Sequence, residues 1–253
     1  MNTNKIIKEW QTEFKRMGDP ARAVKEKSYV RSPFKFYGVG MAGREKMAKK
    51  FFTDHRDWSI KDLWQLVWPL WNSGWHELRG LALDLLALYN KKLAYADLPY
   101  LEKLLRTSVN WDQVDEISAH LVGSVLARDE RVYADLKRWS TDRNFWLRRA
   151  AMLSQLILFR QNLGDRQLFY GFATKMMDES WQNFDSWAKN HPEKMGRWFI
   201  RKAIGWVLRE MSKKWPGEVF QFLRKNKTKL SPLSFKEGSR KLPVEYKEKL
   251  EIS

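Results

Sequence analysis

Apolar residues recur at helical spacing along almost the whole chain, and this periodicity limits the possible folds more than any other feature of the sequence. Strand-like alternation of apolar and polar residues is scarce. The pattern is clearest in three sets of positions, namely Leu78, Leu81, Ala82, Leu85 and Leu86; Trp146, Ala150, Leu153 and Ile157; and Ile200, Ala203, Ile204, Val207 and Met211. Since each set covers one side of a helix, the sequence predicts an all-α protein.

Helix-breaking residues divide the periodic segments at short intervals. They include Gly18, Pro20, Pro33, Pro69, Pro99, Asn110, Gly164, Pro192, Pro216, Pro232 and Pro243. The helices between them are therefore roughly ten to eighteen residues long and joined by short connections. This predicts a single domain over residues 1–253, built as a HEAT-like repeat solenoid of antiparallel helix pairs. A compact all-helical bundle fits the same pattern.

Several helix starts carry residues that can cap them. Asp19 precedes a proline and Asp97 precedes a Leu-Pro step, so either residue can open a helix. Ser59 precedes an apolar-periodic segment and has Asp62 three residues later, which is an acidic variant of the capping box. The glycine-containing stretch 36–43 lacks a preceding strand and a phosphate-loop lysine, so it predicts a turn between helices.

The charge balance indicates an anionic partner. The chain has 47 Lys and Arg against 30 Asp and Glu, a formal net charge of +17. Repulsion between so many positive charges does not stabilise the fold. The charge therefore favours a polyanionic binding partner over the alternative that the lysines serve only solubility. Nucleic acid is favoured over a membrane surface because the basic residues are spread over the full length. On the concave side of a solenoid they would form a basic DNA-binding face.

Missing residues and motifs exclude several classes of chemistry. Cysteine is absent, which excludes disulfides, thiolate nucleophiles and cysteine-ligated zinc, and fits a reducing cytosol. The four histidines lie far apart, and phosphate-loop, Rossmann and GxSxG motifs do not occur, so we expect no metal and no cofactor. The sequence contains no apolar run of spanning length, and we expect no secretion signal. We therefore expect a cytoplasmic protein that does not bind membranes, and we expect it to be a monomer.

Tryptophan is the most distinctive residue type, with 14 copies. Four of them repeat at the spacing of one helix face, which favours core packing: Trp64, Trp68, Trp71 and Trp75. Trp111 precedes Asp115 by four residues, so both project from one helical face, close to a helix start at Asn110. Taken alone, this pair is typical of an amphipathic first turn in which the carboxylate interacts with the helix dipole.

Two further segments place cations among apolar residues. Arg148 and Arg149 are adjacent, hence about a hundred degrees apart on a helix, and we expect that they cannot both face the core. An arginine beside an apolar face either extends to solvent or holds a phosphate or carboxylate. Lys202 lies four residues before Trp206, and Gly205 beside it leaves room for close helix packing or for a ligand.

These segments resemble the AlkD-type DNA alkylation repair glycosylases, a family of HEAT-repeat proteins. The matching strings are NWDQVD at 110–115, WLRRAA at 146–151 and KAIGWVLRE at 202–210, with weaker matches at 34–38 and 232–234. They occur in the same order over nearly the whole chain. Residues 178–198 are longer than the corresponding part of the family pattern.

The resemblance implies an enzymatic role for three residues. Trp111 and Trp206 take the positions of the aromatic side chains that contact the lesion, and Asp115 takes that of the catalytic carboxylate. Such enzymes remove N3- or N7-alkylated purines, which carry a positive charge and leave without a general acid. The carboxylate stabilises the developing sugar cation and places a water molecule. The resemblance therefore implies a monofunctional hydrolase that acts on alkylated double-stranded DNA without flipping the base.

The resemblance also implies a DNA-binding role for four residues. Tyr29 takes the position of an early tyrosine that contacts DNA, and Arg149 that of an arginine in the family's WLxRAA string. Arg148 and Lys202 are expected to help hold the phosphate backbone. A non-catalytic HEAT-repeat DNA-binding protein is the second interpretation, and a helical scaffold for an acidic protein is the third. A pure binder has no need of an aspartate facing DNA, which favours the glycosylase.

Overall fold

The computed structural model of the chain describes residues 3–179 and 194–251. Within these residues the helices are α1 (Thr3–Met17), α2 (Pro20–Val30), α3 (Met41–Asp54), α4 (Ile60–Trp71), α5 (His76–Leu88), α6 (Leu98–Arg106), α7 (Trp111–Asp115), α8 (Gly123–Leu126), α9 (Val132–Trp139), α10 (Phe145–Leu153), α11 (Leu156–Arg160), α12 (Arg166–Met176), α13 (Lys194–Ser212), α14 (Pro216–Lys225), α15 (Pro232–Ser239) and α16 (Val244–Lys249). Short 3-10 turns lie at Asn90–Lys92 and Tyr95–Asp97, and a π-helical segment, Glu116–Val122, follows α7 directly.

The described residues contain no β-strand, only one isolated parallel bridge between Lys35 and Trp75. The prediction of an all-α fold is confirmed. None of the described helices is long and apolar enough to cross a bilayer.

The first of two structural units comprises Met1–Asp97 and Thr107–Glu116. Its central helix is α5, which packs against both α3 and α4. Every residue from His76 to Leu83 is buried, because α5 has neighbours on more than one side. Only four residues connect α4 to α5, which is typical of antiparallel helix neighbours.

Two capping predictions in this unit are confirmed. The Asp19 side chain accepts hydrogen bonds from the first amides of α2. Ser59 and Asp62 form the reciprocal capping box at the start of α4. The turn predicted over residues 36–43 is found over residues 36–40, since α3 already begins at Met41. One oxygen of the buried Glu77 carboxylate accepts bonds there from three successive amides, those of Tyr37, Gly38 and Val39.

Three other details of the first unit differ from the predictions. A helix does begin directly after Asp97, but the Asp97 carboxylate accepts bonds from the Trp64 indole at 2.7 Å and the Ala94 amide at 2.9 Å, so it links α4 to a 3-10 turn. Helix α4 continues through Pro69, which lies in its last turn, where the missing N–H costs a single bond. Trp75 lies beyond the end of α4, so the tryptophan stripe ends with the helix at residue 71.

The second unit comprises Leu98–Arg106 and Ile117–Ser253. Helices that are neighbours in sequence also pack together, as α9 does with α10 and α14 with α15. The long helix α13 contacts α10, α11, α14 and α15. Its predicted apolar face is buried throughout, at Ile200, Ala203, Ile204, Val207 and Met211.

One predicted helix of the second unit is divided. The face from Trp146 to Ile157 spans α10, which ends at Leu153, and α11, which begins at Leu156. The Ser154 hydroxyl donates to the Ala150 carbonyl at 2.7 Å, a bond of the kind that competes with the helical ladder. The periodicity continues across this break, so it gives no sign of the interruption.

Glu102 of α6 is the centre of an ion-pair network in the second unit. Its carboxylate accepts bonds from Arg106, Arg138 and the Trp139 indole. Burial alone would raise the pKa of Glu102, but the bonds from Arg138, Trp139 and Arg106 outweigh it and lower the pKa to about 2. Both oxygens of this carboxylate therefore accept hydrogen bonds, which stabilise its charged form.

Candidate functional site

Helix α7 presents Trp111 and Asp115 on one face. The helix begins at Trp111, as the sequence predicts, and the four-residue spacing places the indole and the carboxylate one turn apart. Both side chains are half-buried. Asn110 precedes the helix but does not cap it with its side chain, and its amide nitrogen donates to the Val30 carbonyl at 2.6 Å.

Tyr29 lies beside Trp111. The two rings meet edge to face, with their centroids 6.3 Å apart and their planes at 82°. Tyr29 is 74% exposed near the C-terminal end of α2, a helix in which no residue is buried. An exposed tyrosine and a half-buried tryptophan thus form one aromatic surface in the first unit.

Arg79 of α5 is a buried anchor for the segment that carries α7. Its Nε donates to the Trp71 carbonyl at 2.7 Å, and its Nη1 donates to the Thr107 carbonyl and to Gln113 Oε1, both at 3.1 Å. The guanidinium lies 4.2 Å from the Phe34 ring centroid and 4.0 Å from that of Trp71. Burial lowers the pKa of Arg79 to about 10, and the nearby carboxylate of Asp112 acts in the opposite direction.

A second contact joins α5 to the first turn of α7. His76 Nε2 lies 3.1 Å from an oxygen of Asp112, and the imidazole stacks on Phe36 with ring centroids 4.5 Å apart. Trp71 adds a third contact, because its indole donates to the Thr107 hydroxyl at 2.9 Å. Sequence reasoning missed these anchors, although an arginine between Leu78 and Leu81 on a buried face was a usable sign of one.

A cavity of about 460 Å³ lies between α3, α5 and α7 in the first unit. Its lining includes a close ion pair, in which Arg44 Nε lies 2.5 Å from an oxygen of Asp84. Burial raises the pKa of Asp84, while Arg44 acts to lower it. Three residues at the α7 side of the lining each keep one buried polar atom without a hydrogen-bond partner: His76 Nδ1, Asp112 Oδ1 and Gln113 Nε2.

The two arginines of α10 are both buried, which corrects the expectation that only one could face the core. Arg148 donates to three successive carbonyls, those of Ser140, Thr141 and Asp142. Arg149 donates to the Phe199 carbonyl at 2.6 Å and lies over the Phe199 ring. Backbone carbonyls make this burial possible, and such partners leave no trace in a periodicity pattern.

Helix α13 places Trp206 and Lys202 one turn apart, and both are half-buried. Lys202 Nζ lies 3.3 Å from an oxygen of Glu237 in α15, and Arg209 pairs with the other oxygen. Gly205 serves helix packing, since a Cβ there would lie 2.7 Å from Glu237 Cβ. We expected Gly205 to make room either for close helix packing or for a ligand, and this contact supports close packing.

The remaining features concern the long segment and metal binding. Most of the segment 178–198 falls on residues 180–193, which lie outside the described part of the chain. Among the described residues, no group of three His, Asp or Glu side chains is placed to hold a metal ion.

The chain was compared with protein families, solved structures and curated proteins. A family described as DNA alkylation repair enzyme matches residues 10–242. The chain is similar to a solved structure from Enterococcus faecalis, described as a predicted DNA alkylation repair enzyme, with a TM-score of 0.75 and 24% identity. That match covers 90% of this chain and 98% of the other, and it establishes the fold. No curated protein matched the sequence.

Proposed function

Because the chain belongs to the DNA alkylation repair enzyme family, we propose that it is a monofunctional DNA glycosylase for cationic N3- or N7-alkylated purines in duplex DNA. The observation that carries this proposal is the half-buried pair of Trp111 and Asp115 on one face of α7. An indole and a carboxylate side by side suit a cationic nucleotide and the sugar cation formed from it.

In the proposed reaction, water attacks C1′ of the damaged nucleotide as the bond from C1′ to the purine nitrogen breaks. The bonding electrons go to the purine ring and neutralise its positive charge, so the free alkylpurine leaves without receiving a proton. Asp115 stabilises the positive charge on the sugar and orients the water, whose proton is released. No amine attacks C1′, so the product is an abasic site in an intact strand.

Trp206 enters the proposal as the second aromatic side chain, through the KAIGWVLRE string. The contact of an indole face with a cationic base contributes on the order of 0.5–2 kcal/mol. We also propose that the base is excised while it remains stacked in the duplex, without base flipping, and that these indole contacts stabilise the cationic nucleotide there.

Tyr29 and Lys202 are proposed to contact DNA, and the net charge of +17 supports a basic face for the backbone. Arg149 is 3% exposed and donates to the Phe199 carbonyl, so we assign it instead to the packing of α10 against α13. The exposed ring of Tyr29 supports its part in this surface most directly. Arg148 is assigned instead to the turn at residues 140–142, since its guanidinium donates to three carbonyls there.

The test is release of 7-methylguanine or 3-methyladenine from alkylated duplex DNA under single-turnover conditions. The wild type should release both, and Asp115→Asn should lower the rate constant by about a hundredfold or more, since an electrostatic contact to the developing charge is removed. Glu130→Gln, a matched change at an exposed carboxylate outside α7, should keep the full rate.

Undiminished release by Asp115→Asn would refute the proposed mechanism. Tight binding to duplex DNA without release of any cationic lesion would favour the non-catalytic DNA-binding protein instead.

A further inference from the structure

Gln113 lies on the opposite side of α7 from Trp111 and Asp115. Successive helical residues are about 100° apart, so residue 113 points about 200° away from residue 111 and from residue 115. Burial agrees with this arrangement, since Gln113 is 2% exposed while the other two are half-buried. A contact that fixes Gln113 therefore also fixes the direction of the indole and the carboxylate.

The contact that fixes Gln113 is rigid. Its Oε1 accepts from Arg79 Nη1 at 3.1 Å and from the Val109 amide at 3.4 Å. The guanidinium of Arg79 lies close to the rings of Phe34 and Trp71, at 4.2 and 4.0 Å from their centroids, and cannot turn freely. Gln113 is thus attached to a side chain that is itself held in place.

The regular α-helical hydrogen-bond pattern of α7 covers only five residues. Its last residue is followed by the π-helical segment Glu116–Val122, in which the ladder changes to wider turns. Because the ladder changes directly after Asp115, side-chain contacts with the rest of the first unit help to fix the direction of the α7 face.

We propose that Gln113 and Arg79 are positioning residues for base excision, which set the orientation of Trp111 and Asp115 from the buried side of α7. This inference rests on the proposed function. Neither residue is placed to touch DNA, because both are buried, at 2% and 5% exposure. Their effect should appear in the rate of the chemical step and not in the affinity for DNA.

Gln113 is the better residue to change, because loss of the Arg79 side chain would also destabilise the fold. Gln113→Met keeps the length and removes the acceptor, whereas Gln113→Glu keeps an oxygen for Arg79 and the Val109 amide. Ile7→Ala, a buried change in α1, is the control for lost stability. All variants are made in the full chain.

The expected result is a selective loss of rate. Gln113→Met should lower the single-turnover rate constant about tenfold or more, since small misplacements of reacting groups have large effects. Its Kd for undamaged duplex should stay within about twofold, and Gln113→Glu should recover most of the rate. Hydrogen exchange of the amides from Asp112 to Glu116 should be faster in Gln113→Met, with protection in α3 to α5 unchanged.

Two results would overturn the inference. One is a wild-type rate in Gln113→Met, and the other is an equal loss of rate in Ile7→Ala at a matched loss of stability. A wild type that releases no alkylated base would refute the proposed function separately. In that case hydrogen exchange decides the positioning role, because unchanged exchange of the α7 amides in Gln113→Met would exclude it.

Discussion

Helices α7 and α13 carry the two tryptophans proposed to contact the lesion, and they are held in different ways. Helix α7 has five residues and is held by polar contacts with Arg79 and His76, while Trp71 donates to Thr107 in the segment that leads to it. Helix α13 has 19 residues and is held by a continuous buried apolar face and by close contact with α15. One helix depends on a few directional bonds, and the other on extended packing.

This difference predicts which of the two helices changes its orientation more readily when a single residue is substituted. Apolar packing is spread over many contacts, so single changes in α13 act mainly on stability. Directional bonds to a short helix concentrate its support in a few atoms, so changes there alter orientation as well. The unpartnered atoms of His76, Asp112 and Gln113 lie at α7, where polar groups are buried without full satisfaction.

The largest effect is expected for Arg79→Met. This change leaves the carbonyls of Trp71 and Thr107 and the oxygen of Gln113 without their donor, which should lower the free energy of unfolding by about 4 kcal/mol. Urea unfolding at pH 7 measures it, with the exposed Arg56→Met as control, where the change should stay within about 0.5 kcal/mol. A loss below about 1 kcal/mol for Arg79→Met would show that packing, not hydrogen bonding, holds this region.

An intermediate loss of stability is expected for Glu102→Gln. The ion-pair network of Glu102 contacts neither Trp111 nor Trp206. The folded pKa of about 2 lies below the unfolded value, so the carboxylate contributes stability that is complete above about pH 4.5 and is lost as pH falls towards 2. The variant should be less stable by about 2 kcal/mol at pH 7. Urea unfolding between pH 7 and 3 should show the gap to wild type narrowing below pH 4.5, and a constant gap would contradict the assignment.

The smallest effect is expected for Gly205→Ala in α13. Alanine favours a helix by about 1 kcal/mol, but its Cβ would lie 2.7 Å from Glu237 Cβ, so α15 has to shift and the net loss should be about 1 kcal/mol. Gly171→Ala in α12 is the matched control, since no atom lies within 4 Å of its Cβ, and it should stabilise the protein by about 0.5 kcal/mol. Thermal unfolding of both variants gives the signs, and equal signs would refute the packing role of Gly205.

The contrast between apolar packing and directional polar bonds also determines how much of the structure could be predicted from the sequence. Periodicity correctly gave the buried faces of α5 and α13, because apolar burial repeats with the helix. It could not give the bond between Arg79 and Gln113, which joins residues 34 positions apart. It also failed for Arg148 and Arg149, because their partners are backbone carbonyls. The π-helical segment after Asp115 has no sequence pattern of its own.

The turn at residues 36–40 contains two closely spaced glycines, Gly38 and Gly40, as phosphate-binding loops do, but a carboxylate of the same chain binds its amides. Three successive amides converge on one oxygen of Glu77, which is the arrangement that in other proteins receives an anion from solution. Here the anion is part of the polypeptide, so its effective concentration exceeds that of a free phosphate ester. The Glu77 carboxylate therefore holds the turn together, and the three amides that it binds are not available to the phosphate of a nucleotide.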